Sequence, residues 1–93
     1  MKKRVAIVGV TGSVGQEFVQ SLDNHPWFEV TQIAASERSA GKMYLDAIRD
    51  SSGIIAWDVS GPIPEYIKNM KVLKIDEVNV QELDLIFSAV ESE

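Results

Sequence analysis

The sequence predicts an α/β fold, half of a Rossmann-type doubly wound parallel sheet with strand order 3-2-1-4. Three observations carry that expectation. The apolar run Val5-Ala6-Ile7-Val8 leads directly into the glycine-rich turn Gly9-Val10-Thr11-Gly12-Ser13-Val14-Gly15, and the turn opens straight into a helical pattern. A second apolar run, Phe28 to Ala35, completes a β-α-β unit over residues 4 to 35. Further strand-like runs follow at Val72 to Ile75 and at Leu85 to Val90, and strands that alternate with helices imply parallel pairing through right-handed crossovers.

Each element has its own signature. Arg4 to Val8 is the first strand, continuously apolar from Val5 as in a strand covered on both faces. Ser13 to Leu22 is a helix with Val14, Phe18, Val19 and Leu22 on the apolar face and Gln16, Glu17, Gln20 and Ser21 on the other; Pro26 stops it. Phe28 to Ala35 is the second strand. Between Ser36 and Ile75 the periodicity weakens: Tyr44, Leu45 and Ile48 suggest a short helix, and Ile54 to Val59 reads as a strand or a buried turn. Pro62 and Pro64 mark a turn, with Pro64 opening a helical segment that runs to Met70. Val72 to Ile75 is the third strand, a helical turn follows around Asn79 to Glu82, and Leu85 to Val90 is the fourth strand. That last strand is expected at an uncovered sheet edge, which favours self-association in isolation.

Composition narrows the function. With 93 residues, 45% of them hydrophobic, the chain matches one small domain. A net charge of −5 and the lack of a basic run argue against a nucleic-acid or anionic-membrane partner. The absence of cysteine excludes disulfides, thiolate metal sites and a cysteine nucleophile within these residues. The start Met1-Lys2-Lys3-Arg4 is basic, but only four apolar residues separate it from Gly9, too few for a signal peptide or a membrane span, so a cytoplasmic location is expected.

Strand, glycine turn and helix N-terminus together bring backbone N–H groups and the positive end of a helix dipole to one place, an arrangement suited to a pyrophosphate. The glycines are spaced G-x-x-G-x-x-G, not G-x-G-x-x-G, and Thr11 stands where a second glycine would allow closest approach while offering a hydroxyl in return. The plainer alternative is a helix capped by Ser13 with no ligand. At the end of the second strand, where NAD-binding units place a carboxylate, stands Ser36, followed by Glu37, Arg38 and Ser39. Hydroxyls and a guanidinium suit the 2′-phosphate of NADP, and Glu37 is expected to point away from it because consecutive residues leaving a strand face opposite sides. In the plainer alternative Arg38 pairs with Glu37 or Asp46 in solvent.

Read in order, Gly9-Val10-Thr11-Gly12-Ser13-Val14-Gly15-Gln16, His25-Pro26-Trp27-Phe28-Glu29-Val30, Ala34-Ala35-Ser36-Glu37-Arg38-Ser39-Ala40-Gly41-Lys42 and Asp84-Leu85-Ile86-Phe87-Ser88-Ala89-Val90 resemble the aspartate-semialdehyde dehydrogenases of archaea and fungi. The resemblance implies NADPH-dependent interconversion of β-aspartyl phosphate and aspartate β-semialdehyde, with release or uptake of inorganic phosphate, in lysine, methionine and threonine biosynthesis. It also implies a cysteine thioacyl intermediate and a histidine acid/base.

On this resemblance the pyrophosphate is lined by Gly9, Thr11, Gly12, Ser13 and Val14, and the 2′-phosphoadenosine by Ser36, Arg38 and Ser39. Ser88 and Ala89 line the cofactor's path over the fourth strand. No residue here is assigned to catalysis or to a metal. Residues 1–93 are expected to be the N-terminal part of an NADP-binding domain, inactive alone. The catalytic and dimerisation domain, its cysteine and histidine, and most contacts of a homo-oligomer would lie beyond Glu93.

His25 is expected to cap helix carbonyls, Trp27 and Trp57 to pack in the core, and Asp76, Glu77, Glu91 and Glu93 to be solvated. Two alternatives stay open: the corresponding segment of an N-acetyl-gamma-glutamyl-phosphate reductase, which shares the glycine loop and the Ser-Ala-Gly-Lys stretch, and a stand-alone nucleotide-binding module.

Overall fold

The computed structural model describes residues 2–90. The order of elements is β1 (Lys3–Val8), α1 (Ser13–Ser21), β2 (Phe28–Ala35), α2 (Tyr44–Ala47), α3 (Glu65–Lys68), β3 (Val72–Lys74), two 3-10 turns (Ile75–Glu77 and Val80–Glu82) and β4 (Leu85–Ser88). All strands pair in parallel in the order β3-β2-β1-β4, as the sequence predicts.

β1 lies inside the sheet between β2 and β4, and its Val5, Ala6 and Ile7 are fully buried. It pairs with β2 from Lys3↔Phe28 to Val8↔Ala34, with a register shift that skips Thr31, and with β4 from Val5↔Leu85 to Val8↔Ser88. Val5 and Ile7 join Val19 of α1 and Leu22 at its C-cap, Val30 and Ile33 of β2, and Tyr44, Ile48, Ile67 and Val72 in a single core. Each such fully buried aliphatic side chain contributes about 1.5–3 kcal/mol. Phe18 of α1 stacks on Phe87 of β4 with centroids 5.2 Å apart, and Phe28 meets the same ring edge-on at 5.8 Å.

Several expectations are corrected. Residues 54–59 form neither a strand nor a buried turn: Ile54 and Ile55 are exposed, and the segment makes one isolated bridge, Arg49↔Ile55. It lies along α1 instead, held by polar contacts. Helix α3 is shorter than Pro64 to Met70, with Pro64 as the residue before its first turn. Strand β4 ends at Ser88, two residues early, and Leu85 and Ile86 are exposed as befits an edge. Trp27 is not core but 70% exposed, whereas Trp57 is partly buried and donates its indole N–H to Gly61 O at 3.0 Å. His25 caps no carbonyl through its ring; Nδ1 accepts the backbone N–H of Trp27 at 3.1 Å. Among the described residues no helix is long and apolar enough to cross a membrane.

Candidate cofactor site

The glycine turn leaves β1 at the carboxyl end of the sheet, between β2 on one side and β4 on the other. This is where connections diverge to opposite sides of the starting strand and a crevice opens. Gly9 has φ +83°, and its N–H and that of Val10 both donate to Ala34 O, at 2.9 and 3.2 Å. A Cβ at Gly9 would lie 2.9 Å from the carbonyl carbon of Ala89, so the end of β4 abuts the turn. A Cβ at Gly15 would lie 2.2 Å from Gly9 O, so α1 sits directly on the turn. Gly12 differs: the nearest atom to its Cβ position is Gly9 O at 4.0 Å, which leaves its backbone open.

Gly12, not Ser13, is the N-cap of α1, and no side chain caps the helix. The first N–H groups of a helix have no intrahelical acceptor and carry the positive end of its dipole, so this start is available to an anion. Ser13 is the first helical residue, and its hydroxyl reaches the Asp58 carboxylate at 3.4 Å. Beneath the turn, Tyr44 donates its buried hydroxyl to Val10 O at 3.1 Å, and Gln16 donates to Thr11 O at 3.0 Å. Burial raises the Tyr44 phenol above the ordinary tyrosine range, with the nearby Tyr66 adding to the effect, so the group stays a donor.

A groove of about 250 Å³ runs along this end of the sheet. It brings together Gly9, Thr11, Gly12, Ser13, Val14, Ser36 and Ala89, as predicted, with Ala35, Ile75 and Val90 in addition. Through Ala35, Ser36 and Ile75 it continues into a recess of about 320 Å³ that adds Glu37, Lys74 and Asp76. Arg38, Ser39 and Ser88 line neither. Ser39 N–H and Ala40 N–H fold back onto Ser36 O at 3.0 and 3.1 Å, which puts Arg38 exposed on a turn beside the recess. Among the described residues Arg38 makes no ion pair, and Asp46 pairs with Arg49 at 3.4 Å. Glu37, an exposed residue, is among those around the recess and not among those of the groove.

Ile75, half exposed just past β3, escaped notice for lack of a polar signal. Its position at the carboxyl end of a parallel strand, where such sheets bind ligands, could have found it. Val14 looks out of place as a helix-face apolar residue because it is 53% exposed, and the groove accounts for it. Larger hollows of about 410 and 590 Å³ lie at the amino ends of β1 and β2, around His25, Phe28 and Trp27. They have neither a glycine turn nor a helix start. No group of three metal-ligating side chains occurs among the described residues, and Glu91 and Glu93 lie outside them.

The same strand, turn and helix are found in known proteins. Residues 4–93 match the family model described as "Semialdehyde dehydrogenase, NAD binding domain". The chain belongs to this family. Its nicotinamide-dinucleotide domain is similar to the aspartate-semialdehyde dehydrogenase of Archaeoglobus fulgidus, 39% identical over 93 residues, 100% of this chain and 25% of that protein. It is similar also to that of Methanothermobacter thermautotrophicus, 42% identical over 86 residues, covering 92% and 23% of the two chains. The semialdehyde dehydrogenase domain thus spans about a quarter of the length of the curated relatives it matches.

Among solved structures, aspartate semialdehyde dehydrogenase with NADP from Candida albicans superposes with a TM-score of 0.82 at 37% identity, over 98% of this chain and 24% of that one. Aspartate semialdehyde dehydrogenase II complexed with ASA from Vibrio cholerae gives a TM-score of 0.63 at 25% identity, over 97% and 21%.

Proposed function

We propose that residues 1–93 are the NADP(H)-holding part of an aspartate-semialdehyde dehydrogenase. The observation that carries this reading is the uncapped start of α1 above Gly12, the one glycine of the turn whose missing side chain leaves open space and not a packing contact. An alanine methyl there would occupy the place a pyrophosphate oxygen needs, so the cradle fits the group. In this reading the backbone N–H groups of Thr11, Gly12, Ser13 and Val14 hold the pyrophosphate, aided by the Thr11 and Ser13 hydroxyls. Ile75 would offer an apolar contact to the adenine, and Ser36 a hydroxyl to the ribose, both from the lining of the groove. Arg38 and Ser39, on the turn beside the recess, would receive the 2′-phosphate, and Lys74 is a further cation among the residues that line the recess. Gly9 and Ala89 would line the groove under the rest of the dinucleotide.

The dinucleotide, when bound, supplies or accepts hydride; the residues here bind and orient it. The 93 residues hold no cysteine, so the thioacyl step has no nucleophile among them. The interconversion of β-aspartyl phosphate and aspartate semialdehyde, and the oligomer in which it occurs, belong in this proposal to the whole protein.

Fluorescence titration tests the cofactor assignment. NADPH is expected to bind about tenfold tighter than NADH, the size of one charge-assisted phosphate contact, and Arg38→Ala to remove most of that difference. Equal affinities for the two cofactors in the unsubstituted protein refute it.

A further inference from the structure

Gln16 is the one polar residue among the described residues that is buried, at 2% exposure, and its amide is saturated. Nε2 donates to Thr11 O at 3.0 Å and to Ala56 O at 2.9 Å, while Oε1 accepts the N–H of Asp58 at 2.7 Å. It belongs to a polar stripe along α1: Ser13 reaches Asp58 and Gln20 reaches Ser60 O, so residues 56–60 lie along the helix as a strap.

We infer that Gln16 is a positioning residue that sets the direction of the Gly12 N–H in the pyrophosphate turn, an inference that rests on the cofactor reading above. A peptide unit is planar, and in its trans form the C=O and the following N–H point in opposite directions. No cis peptide occurs among the described residues. Drawing Thr11 O inward onto Gln16 therefore turns the Gly12 N–H outward. Tyr44 does the same one unit earlier: Val10 O held inward turns the Thr11 N–H outward. Two successive peptide dipoles are thus oriented from below before any anion arrives. Only a side-chain amide of this length serves at residue 16, because it must present two N–H donors and one acceptor to three separate backbone groups. Glutamate lacks the donors, methionine lacks both functions, and either leaves Thr11 O and Ala56 O without their partner.

The test compares Gln16→Met and Gln16→Glu with the unsubstituted full polypeptide. The probes are NADPH and adenosine 2′-monophosphate, which keeps the adenine and the 2′-phosphate but has no pyrophosphate. Both substitutions are expected to weaken NADPH about tenfold, the effect of one lost buried hydrogen bond, and to leave the monophosphate affinity within about twofold. Near-UV circular dichroism identifies a variant that fails to fold, and the other variant then decides the comparison. Parallel loss of both ligands by a folded variant assigns Gln16 to general stability and overturns the inference, as does unchanged NADPH affinity in both. Failure of the unsubstituted protein to bind NADPH overturns the underlying cofactor reading instead.

Discussion

Replacing Gly15 with alanine isolates the contact that joins α1 to the glycine turn. The added Cβ would stand 2.2 Å from Gly9 O, 2.7 Å from Val10 Cα and 2.8 Å from Val10 C, whereas carbon contacts are comfortable at about 3.5–4.0 Å. Alanine has no rotamer with which to escape, and every contacted atom is backbone, so α1 must withdraw by about an ångström. Helix propensity works the other way, since alanine in a helix is better than glycine by about 1 kcal/mol. Overpacking against it costs up to about 3 kcal/mol, and withdrawal stretches the Gln16–Thr11 bond, worth about 1 kcal/mol more. The net expectation is a destabilisation of about 3 kcal/mol, read by urea unfolding, together with loss of NADPH binding.

Gly12→Ala supplies the contrast. Its Cβ meets nothing closer than 4.0 Å and its φ of −78° suits any residue, so stability should fall by no more than about 1 kcal/mol, from the poorer N-cap. NADPH affinity should nevertheless fall steeply, because the methyl enters the groove. Gly15→Ala unfolding at the same urea concentration as the unsubstituted protein, or at a higher one, would refute the reasoning: α1 would then not be seated on Gly9 O.

Asp58→Asn should tighten NADPH binding. Its carboxylate lies 3.4 Å from the Ser13 hydroxyl that the proposed pyrophosphate would share, and two unit charges about 5–6 Å apart, both exposed to bulk water, repel by about 0.7 kcal/mol, so a gain of about threefold at low salt, shrinking at high salt, is expected. Unchanged affinity at low salt counts against a phosphate at this position. Stability should also decline in alkali. Tyr44 and Tyr66 are both raised by burial, with Asp23 adding to the effect at Tyr66. Above the ordinary tyrosine pKa of about 10 the unfolded chain therefore loses protons that the folded chain keeps, and stability falls as pH rises. Tyr44→Phe should lower stability at pH 7 by about 1–3 kcal/mol, since Val10 O loses its buried partner, and should flatten the alkaline decline. A decline as steep as in the unsubstituted protein means that Tyr44 is not one of the groups behind it.

The parallel sheet is legible because β1 carries an unbroken apolar run into the glycine turn and β2 is rich in β-branched and small apolar residues after the helix that follows the turn. Register decides what such runs can do, and Val5 to Val8 have only one comfortable place, the middle of the sheet. Between Ser36 and Met70 the short helices at Tyr44 and after Pro64 are legible, but residues 50–61 are not, for an equally physical reason. Residues 50–61 are held less by buried apolar side chains than by side-chain amides, an indole and a carboxylate bonding to backbone, as at Gln16, Gln20, Trp57 and Asp50, and such bonds leave no periodicity. Gln16 reads as part of the polar face of the helix because glutamine is polar. Its burial depends on the residue 56–58 backbone, some 40 positions away, which no local pattern reveals. Val14 was mistaken in the opposite sense: its apolar side chain serves the groove and not the core.

The glycine motif therefore describes only half of the turn. Gly9 and Gly15 let β4 and α1 approach the backbone, and Gly12 leaves room above it, but none of these absences tells a peptide unit which way to face. That direction comes from Tyr44 and Gln16, which hold two consecutive carbonyls from below and lie 34 and 5 positions away in the chain from the carbonyls they hold. Space without orientation would give a turn whose N–H groups must be aligned by the ligand, with the ordering charged against affinity. Orientation without space would give aligned donors under a methyl group. A strand-to-helix turn that carries both the open glycine and the inward ties has its donors in place before an anion binds, and this combination, more than glycine spacing alone, separates an anion cradle from a tight turn.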